Sequence, residues 1–429
     1  MIVANDTIRV WKENIPAHWQ VLPLKYTITY NDDKLTDQTD ENFEFDYVDI
    51  GSVTYGKGIE TFQHMKFSDA PSRARRIVKP KDVIMSTVRT YLKATAEIEE
   101  HNNPIIVSTG FMVMRARNGV MLPDFLGYIA QSDGLVSEIE CQSYGASYPA
   151  INAEEIAGLS IPLPPIPEQQ AIVRYLDAKC AAIDEAIERH KKIIEKLEEY
   201  KRSSIIKAVN GDISDNAKAS GIAWMPTVPS HWGVVPMRFA LTQRKNKNEG
   251  LVEKNLLTLS YGKIKRKDIE TNEGLLPASF EGYNIIEAGD IVLRLMDLQN
   301  DKHSLRTGLV TERGIITSAY VTVIPTEGFD PAYCRYLLHA YDLMKVFYSM
   351  GEGVRQGLTY DDLSRTLLIP KPPIDEQSKI ASNIIKMEGS VDASIGKQNA
   401  MLEKLEEYRK SIIYNAVTGK IDCRTEAVE

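Results

Sequence analysis

The chain has 429 residues, of which 43 % are hydrophobic and 26 % charged, proportions typical of folded domains rather than disordered segments. Its length exceeds that of one ordinary domain, so at least two cores are expected. A formal net charge of −8 argues against indiscriminate nucleic-acid binding, although local charge matters more than the total.

The cysteine and histidine spacings predict neither disulfides nor a metal site, since four cysteines and seven histidines are scattered along the chain. The longest uncharged apolar stretch, "GIITSAYVTVI" at 314–324, is about half of what a membrane span requires. We therefore expect a cytoplasmic protein that does not enter membranes and that holds neither a metal nor a cofactor of its own.

The sequence of residues 1–160 predicts one globular body that contains both strands and helices. "KPKDVIM" at 79–85 reads as a polar turn that leads into a strand, and "PIIVSTGFMVM" at 104–114 is strand-like. "LPDFLGYIAQS" at 122–132 has helical spacing instead. Asn152 followed by Glu155 is the spacing of a helix N-cap and its acidic partner.

The sequence of residues 161–211 predicts a long helix. After "PPIPEQ", no proline or glycine interrupts the chain before Gly211, which suits a left-handed helix end. Positions from Leu176 to Ser204, most of them apolar, follow alternating steps of four and three, the pattern of a coiled-coil seam. At about 1.5 Å per residue such a helix is roughly 60 Å long.

The second half repeats this order. Residues 212–368 predict a linker and a second mixed body, with "EAGDIVL" at 287–293 as a strand and "DPAYCRYLLHAYDL" at 330–343 as a helix. Thr359 and Asp362 again have capping spacing. The sequence of residues 369–429 predicts a second long helix, which also ends at a glycine suited to a left-handed conformation, Gly419, and then a C-terminal tail.

Three motifs occur twice. "IPLPPIPEQQ" at 161 recurs as "IPKPPIDEQS" at 369, and "KLEEYKRSSIIKAVNG" at 196 as "KLEEYRKSIIYNAVTG" at 404, both 208 residues later. "PAHWQVLPLKY" at 16 recurs as "PSHWGVVPMRF" at 229. The chain is therefore a tandem repeat in which the motifs and helices stay alike while the bodies between them diverge.

Each body contains a local excess of positive charge. Residues 57–93 have nine basic and three acidic side chains, and residues 238–267 have nine basic and two acidic ones. Such clusters in both bodies favour contact with DNA phosphates. The acidic stretch at 31–46 lacks the ligand spacing of a metal loop and is expected to be exposed.

From these clusters and the loops near them we select candidate DNA contacts among the polar and charged side chains that can bind phosphates or base edges. In the first body they are Arg73, Arg75, Arg76, Arg89, Tyr91, Lys93, Tyr144, Ser147 and Tyr148. In the second body they are Lys263, Lys265, Arg266, Arg294, Asp297, Gln299, Lys302, His303, Arg355 and Gln356.

Catalytic motifs are missing from the sequence. The nearest string to the (N/D/S)PP(Y/F) loop of adenine methyltransferases is "NNPII" at 102–106, which lacks the second proline and the aromatic residue. The phosphate-binding pattern GxxxxGK(S/T) does not occur, and "GEGVRQG" at 351–357 does not match GxGxxG. We therefore predict that the chain catalyses no reaction.

The order and duplication of these motifs resemble the specificity (S) subunit of type I restriction–modification systems, over essentially the whole chain. "GDIVLRLMDLQND" at 289–301 also resembles a segment of the target recognition domains of that family. The resemblance implies an α+β fold with two globular mixed α/β target recognition domains, separated by a long antiparallel two-helix coiled coil in a pseudo-twofold tandem repeat.

The resemblance also implies a function. Each body would read one half of a bipartite, asymmetric site on double-stranded DNA, with an unread spacer between the halves. The conserved helices would bind two modification subunits, which use S-adenosylmethionine, and restriction subunits, which use ATP and Mg²⁺. The alternative from another class is a coiled-coil scaffold with two protein-binding bodies and no DNA readout, and the two basic clusters argue against it.

Overall fold

The computed structural model describes residues 15–211, 216–268, 279–300, 304–350 and 357–425. The chain divides into two compact units, one of residues 1–190 and 400–429 (unit 1) and one of residues 191–399 (unit 2). Each boundary falls inside a long helix, Ile166–Asn210 or Ile374–Val417. Each unit therefore contains one globular body and a segment of both helices.

Unit 1 contains twelve strands among its described residues: β1 Gln20–Pro23, β2 Ile28–Tyr30, β3 Glu44–Val48, β4 Val53–Thr54, β5 Gly58–Ile59, β6 Gln63–Lys66, β7 Ala74–Ile77, β8 Val83–Ser86, β9 Thr95–Glu97, β10 Ile105–Ser108, β11 Phe111–Ala116 and β12 Ser160–Leu163. Its helices are α1 Pro123–Gln131, α2 Asp133–Gln142, α3 Ala153–Gly158 and the first part of α4 Ile166–Asn210. The helix predicted at 122–132 is confirmed, and the strand-like stretch at 104–114 forms two strands, β10 and β11, with a turn between them.

Two four-stranded sheets form the body of unit 1, in the orders β6-β3-β10-β7 and β2-β11-β8-β9. Strand β11 is buried on both faces because its side chains alternate between two cores. Phe111 and Val113 pack between the sheets, whereas Met112 and Met114 pack against the helices. The second sheet is thus the middle layer that supports the loops at its edge.

Unit 2 contains twelve further strands in the described ranges: β13 Ala217–Ile222, β14 Met225–Pro229, β15 Gly233–Pro236, β16 Leu241–Gln243, β17 Leu257–Ser260, β18 Lys263–Arg266, β19 Asn284–Ile286, β20 Ile291–Leu293, β21 Thr307–Leu309, β22 Gly314–Ile316, β23 Val321–Pro325 and β24 Leu368–Lys371. Its helices are α5 Met237–Ala240, α6 Pro331–Leu343, α7 Val346–Met350, α8 Tyr360–Thr366 and the first part of α9 Ile374–Val417.

The middle sheet of unit 2 has the order β16-β23-β20-β21, which repeats the order β2-β11-β8-β9 of unit 1. Strand β20 follows β8 by the same 208 residues that separate the repeated motifs. Its side chains alternate in the same way, with Ile291 and Leu293 facing the helices and Val292 facing the second core. The two bodies therefore share a scaffold despite their different sequences.

The proline motifs form strands before the long helices begin, which corrects the predicted helix bounds of 161 and 369. Strand β12 pairs antiparallel with β1, and β24 pairs antiparallel with β15. Because proline lacks a donor and disfavours a helical conformation in the residue before it, these segments stay extended. Helix α4 begins at Ile166 and α9 at Ile374.

In unit 1 the repeated histidine–tryptophan pair binds the first turn of α4. Trp19 Nε1 donates to Glu168 Oε2 at 2.9 Å, and His18 Nε2 lies 2.8 Å from Glu168 Oε1. The end of α9 meets the same tryptophan: a Cβ on Gly419 would lie 3.1 Å from the Trp19 ring and 2.5 Å from Pro16. With φ at +70°, this position requires glycine.

In unit 2 an equivalent tryptophan junction joins the opening motif to the start of α9 and the end of α4. Trp232 Nε1 donates to Glu376 Oε1 at 3.0 Å, and His231 Nε2 lies 2.9 Å from Glu376 Oε2. Gly211, with φ at +79°, ends α4 against the Trp232 ring, 2.7 Å from where its Cβ would be. The predicted left-handed glycine ends are confirmed, and the tryptophan explains why both motifs recur.

Within each unit the two helix segments pair antiparallel. In unit 1, Asp184 pairs with Arg409, while Glu168, nearer the start of α4, lies 3.7 Å from Arg424, beyond the end of α9. In unit 2, Lys201 Nζ lies 2.7 Å from Asp392 Oδ1. Asp392 and Arg409 follow Asp184 and Lys201 by 208 residues, so both units contain the same ion pair.

Candidate nucleic-acid interface

Loops 87–93 and 143–150 of unit 1 lie side by side. The Thr90 N–H donates to the Pro149 carbonyl at 3.3 Å, and the Thr90 hydroxyl donates to Ser143 Oγ at 2.8 Å. The Ile151 N–H donates to the Thr87 carbonyl at 2.9 Å. The structure therefore brings together two groups of predicted contacts that lie more than fifty residues apart in the sequence.

These two loops expose one cation and several hydroxyl groups. Arg89 lies over the Tyr148 ring, 5.1 Å from its centre. Tyr91, Tyr144 and Tyr148 are 52 %, 56 % and 65 % exposed, and Ser147 is exposed beside them. Guanidinium and hydroxyl groups donate to phosphate oxygens and base edges, so this surface suits duplex DNA.

The backbone of loop 87–93 is held in an uncommon conformation. Arg89 and Lys93 both have φ at +52° and flank a short 3₁₀ turn, Thr90–Leu92. Non-glycine residues rarely adopt this region, so the surroundings must hold the loop. Lys93 already forms an ion pair, since its Nζ lies 3.0 Å from Glu140 Oε2. Arg89 is thus the more available of the two cations.

The predicted contacts on and beside β7 are less available than loop 87–93. Arg73 Nε donates to the Tyr47 hydroxyl at 3.1 Å, although this arginine side chain is 59 % exposed. Arg75 stacks on Phe67 and lies 3.6 Å from Asp37. Arg76 is half-buried, and burial lowers the pKa of its guanidinium.

The acidic stretch at 31–46 pairs with the basic cluster of the same unit. Asp33 lies 2.9 Å from Lys79 and 3.1 Å from Arg115, and hydrogen bonds from these two cations lower the pKa of its carboxyl. Asp46, 9 % exposed, lies 2.8 Å from His64 and 2.6 Å from His101. Of the cations counted in the cluster, Lys66, Arg75 and Lys79 each lie within 4 Å of a carboxylate of this stretch, so part of the positive charge is neutralised inside unit 1.

In unit 2 the basic cluster lies on a two-stranded hairpin, β17 with β18. Ser260 pairs with Lys263, and Tyr261 and Gly262 form the turn with φ of 48° and 73°, as type I′ hairpins require. Ile264 packs on the core, while Lys263 and Lys265 are exposed. The turn residue Tyr261 is 79 % exposed. The hairpin thus presents two cations and one ring to solvent.

Arg266, at the end of the same hairpin, is already paired. Its Nε donates to Glu312 at 2.8 and 2.9 Å, and this hydrogen bonding raises the pKa of the guanidinium. Because the Glu312 carboxylate compensates its charge, Arg266 offers less to a phosphate than Lys263 or Lys265 does.

The remaining predicted contacts of unit 2 lie after β20. Arg294 and Gln299 are exposed, and Asp297, with φ at +57°, accepts a hydrogen bond from Asn300 Nδ2 at 2.7 Å. The buried Arg306 binds the carbonyls of this segment. The other predicted contacts lie outside the described residues: Lys302, His303, Arg355 and Gln356.

Sequence reasoning did not select Arg306 or Tyr261. Arg306 falls outside the basic cluster at 238–267, and an arginine gives no sign of its burial. Tyr261 could have been found, because tyrosine followed by glycine between two alternating stretches is a hairpin turn signal.

Among the described residues, no helix combines the length and apolar character needed to cross a bilayer. Within the same ranges, no cluster of three histidine, cysteine or carboxylate side chains is arranged to hold a metal ion.

Residues 22–199 match the family described as type I restriction modification DNA specificity domain. The chain is 23 % identical to the putative type I restriction enzyme MjaX specificity subunit of Methanocaldococcus jannaschii, covering 96 % of this chain and 95 % of that protein. It is 22 % identical to the EcoKI specificity subunit of Escherichia coli, covering 82 % of this chain and 77 % of that protein.

Two solved structures show the same fold. A chain from a study of complex assembly and conformational transition of the type I R-M system aligns with a TM-score of 0.72 at 20 % identity, covering 95 % of this chain and all of that one. The HsdS subunit from Thermoanaerobacter tengcongensis aligns with a TM-score of 0.52 at 21 % identity, covering 95 % and 98 % of the two chains.

Proposed function

We propose that the chain is a type I restriction–modification specificity subunit that reads a bipartite, asymmetric site on double-stranded DNA. Each body contacts one half of the site, and the bases between the halves are not read. The chain is non-catalytic and directs the subunits that modify DNA, and any restriction subunits, to the site.

One observation carries this proposal: the two bodies have the same strand order, but the loops on their sheets present different side chains. The sheets β2-β11-β8-β9 and β16-β23-β20-β21 have the same strand order. Arg89 and Tyr91 follow β8 where Asp297 and Gln299, 208 residues later, follow β20. Base readout depends on the hydrogen-bonding groups that a loop presents, so the two bodies read different half-sites.

The long helices fix the distance between the half-sites in this proposal. Helix α4 has 45 residues, which at about 1.5 Å per residue makes roughly 67 Å, or somewhat under two turns of B-DNA. The pairs Asp184–Arg409 and Lys201–Asp392 support an antiparallel coiled coil with pseudo-twofold symmetry. Such symmetry matches the dyad of duplex DNA.

Apolar side chains that are exposed in both copies support a partner bound twice. Ile193 and Tyr200 of α4 are 41 % and 57 % exposed, and Met401 and Tyr408 of α9, 208 residues later, are 44 % and 51 % exposed. In each pair the residues are seven apart and lie on one helix face. Folding does not require the two helices to expose apolar residues at equivalent positions. Binding of two identical subunits, one to each helix, does require it.

We assign this repeated face to two modification subunits. Those subunits would hold S-adenosylmethionine, and restriction subunits joined to them would use ATP and Mg²⁺. A second pair of exposed rings also occurs in both copies. Tyr26 and Phe239 occupy equivalent positions of the opening motif and are each 60 % exposed. Lys25 stacks on Tyr26 as Arg238 stacks on Phe239.

Selection from random duplexes by the purified complex with modification subunits tests the proposal. The bound fraction should contain two short, different blocks of bases separated by a gap of fixed length. A single continuous block, or enrichment of no sequence, would count against it, and the second result would favour a protein-binding scaffold.

A further inference from the structure

The loop that follows β20 is longer than its counterpart after β8. In unit 1 the Ser86 N–H donates to the Ala94 carbonyl at 2.8 Å and closes a loop of seven residues, 87–93. In unit 2 the Arg294 N–H donates to the Arg306 carbonyl at 2.9 Å, and eleven residues of the sequence, 295–305, separate the two. The closing residue is therefore alanine in one body and arginine in the other.

The Arg306 side chain is directed inward and binds this loop. The residue is 6 % exposed. Its NH1 donates to the carbonyls of Arg294 at 3.2 Å and Met296 at 2.6 Å, and its NH2 donates to the carbonyl of Asp297 at 2.8 Å. Its backbone N–H donates to Asp342 Oδ2 on α6 at 3.0 Å. Arg306 thus connects the loop to the helical core of unit 2.

A buried guanidinium needs hydrogen-bond acceptors around it, and its planar fork can serve several carbonyls at once. Asp297 has φ at +57°, a conformation that the surroundings of a non-glycine residue must hold. The three bonds from Arg306 fix the backbone on both sides of this residue. The shorter loop of unit 1 is instead held by the hydrogen bond between Thr90 and Ser143.

We infer that Arg306 is a positioning residue for base readout by unit 2. It holds the backbone at 294–297 and so determines where Arg294 and Gln299 meet the DNA. It does not contact the bases itself. The inference rests on the proposed function and adds to it a residue that affects one half-site only.

Replacing Arg306 by methionine, a flexible side chain without donors, tests the inference in cells that contain the complete complex. Methylated adenines are mapped across the genome for the wild type and for Arg306→Met. In one half of the site, the ratio of methylation at matched to singly mismatched sites should fall about tenfold or more, the scale of one base-pair preference. Discrimination in the other half should not change.

Arg244→Met is the matched control, because Arg244 is also a largely buried arginine of unit 2. Its NH2 lies 2.9 Å from Asp290 Oδ1, at the end of β20 opposite the loop. This variant should lower thermal stability without relaxing either half-site. Unchanged discrimination in Arg306→Met, or an equal loss in both halves, would overturn the inference.

Arg306→Lys decides the question if the methionine variant does not fold. Lysine keeps the charge but lacks the planar fork, so the same half-site should relax by a smaller factor. Wild-type discrimination with lysine would also contradict the inference. A wild-type protein whose presence produces no methylated motif would contradict the proposed function instead.

Discussion

Among the residues that the structure describes, Lys263 and Lys265 differ from their neighbour Arg266 in that no carboxylate forms an ion pair with them. Changing both lysines to glutamine should weaken binding to specific and unrelated duplexes by the same factor. It should also reduce the slope of log affinity against log salt by about 1.8, because roughly 0.9 counterions are released per phosphate contact. Fluorescence titrations at several salt concentrations measure both quantities.

Arg266→Gln is the control for the paired lysines. Since Glu312 already binds this arginine, its loss should alter the salt slope much less than one lysine does. An equal or larger change for Arg266→Gln would mean that the hairpin meets DNA with its other side.

Glu168 joins the opening motif to helix α4, and its protonation should weaken that junction. Burial alone would raise the pKa of this carboxyl, but hydrogen bonds from Trp19 and His18 hold it below its ordinary value of 4.5. The stabilisation is therefore complete above pH 4.5 and is lost as the pH falls through the lowered pKa.

Glu168→Gln should accordingly reduce the free energy of unfolding of unit 1 by about 1–2 kcal/mol at neutral pH, the scale of charge-assisted hydrogen bonds. The difference from the wild type should shrink as the pH falls towards about 3, as urea unfolding curves would show. The exposed Glu99→Gln should have no such effect. A difference independent of pH would contradict the role of the charge.

At the scale of elements, the exposed faces of α4 and α9 should each bind one partner. Tyr200→Ser and Tyr408→Ser should each leave one modification subunit tightly bound and weaken the other about thirtyfold, since a central interface tyrosine contributes about 2 kcal/mol. Native mass spectrometry of the complex gives the stoichiometry.

Tyr261→Ser is the control for these helix variants. This tyrosine is the more exposed residue, but it lies on the hairpin of unit 2, where only DNA is expected. It should leave the binding of both modification subunits intact. If Tyr200→Ser and Tyr408→Ser retain full stoichiometry and affinity, the subunits dock elsewhere.

The elements that could be predicted from sequence are those with local signals. Gly211 and Gly419 marked the helix ends, and the Thr359–Asp362 cap forms with a 2.7 Å hydrogen bond from the Thr359 N–H. The starts of the long helices could not be predicted, because Ile161 and Ile369 belong to strands whose partners lie more than a hundred residues away. A local pattern does not encode pairing at that distance.

The availability of the candidate contacts also depends on pairing between distant residues. A count of charges over 57–93 could not show that Asp33 and Asp37 neutralise part of the cluster, or that burial lowers the pKa of Arg76. Arg306 gave no signal, since its role depends on backbone carbonyls that only the folded chain brings to it. Both kinds of contact form only in the folded body.

In the whole molecule, some features occur in both copies of the repeat and others differ between them. The tryptophan junctions, the ion pairs Asp184–Arg409 and Lys201–Asp392, and the exposed helix faces recur in both copies. The loops after β8 and β20 do not. Shared surfaces suit identical subunits, and divergent loops suit an asymmetric DNA site.

Mapping methylated adenines in cells with and without this gene tests whether the chain directs modification to a bipartite site. Deletion of the gene should remove methylation from one motif made of two unlike halves separated by a fixed number of unread bases. Loss of methylation at a continuous motif, or an unchanged methylation map in cells that express the complete complex, would contradict this role.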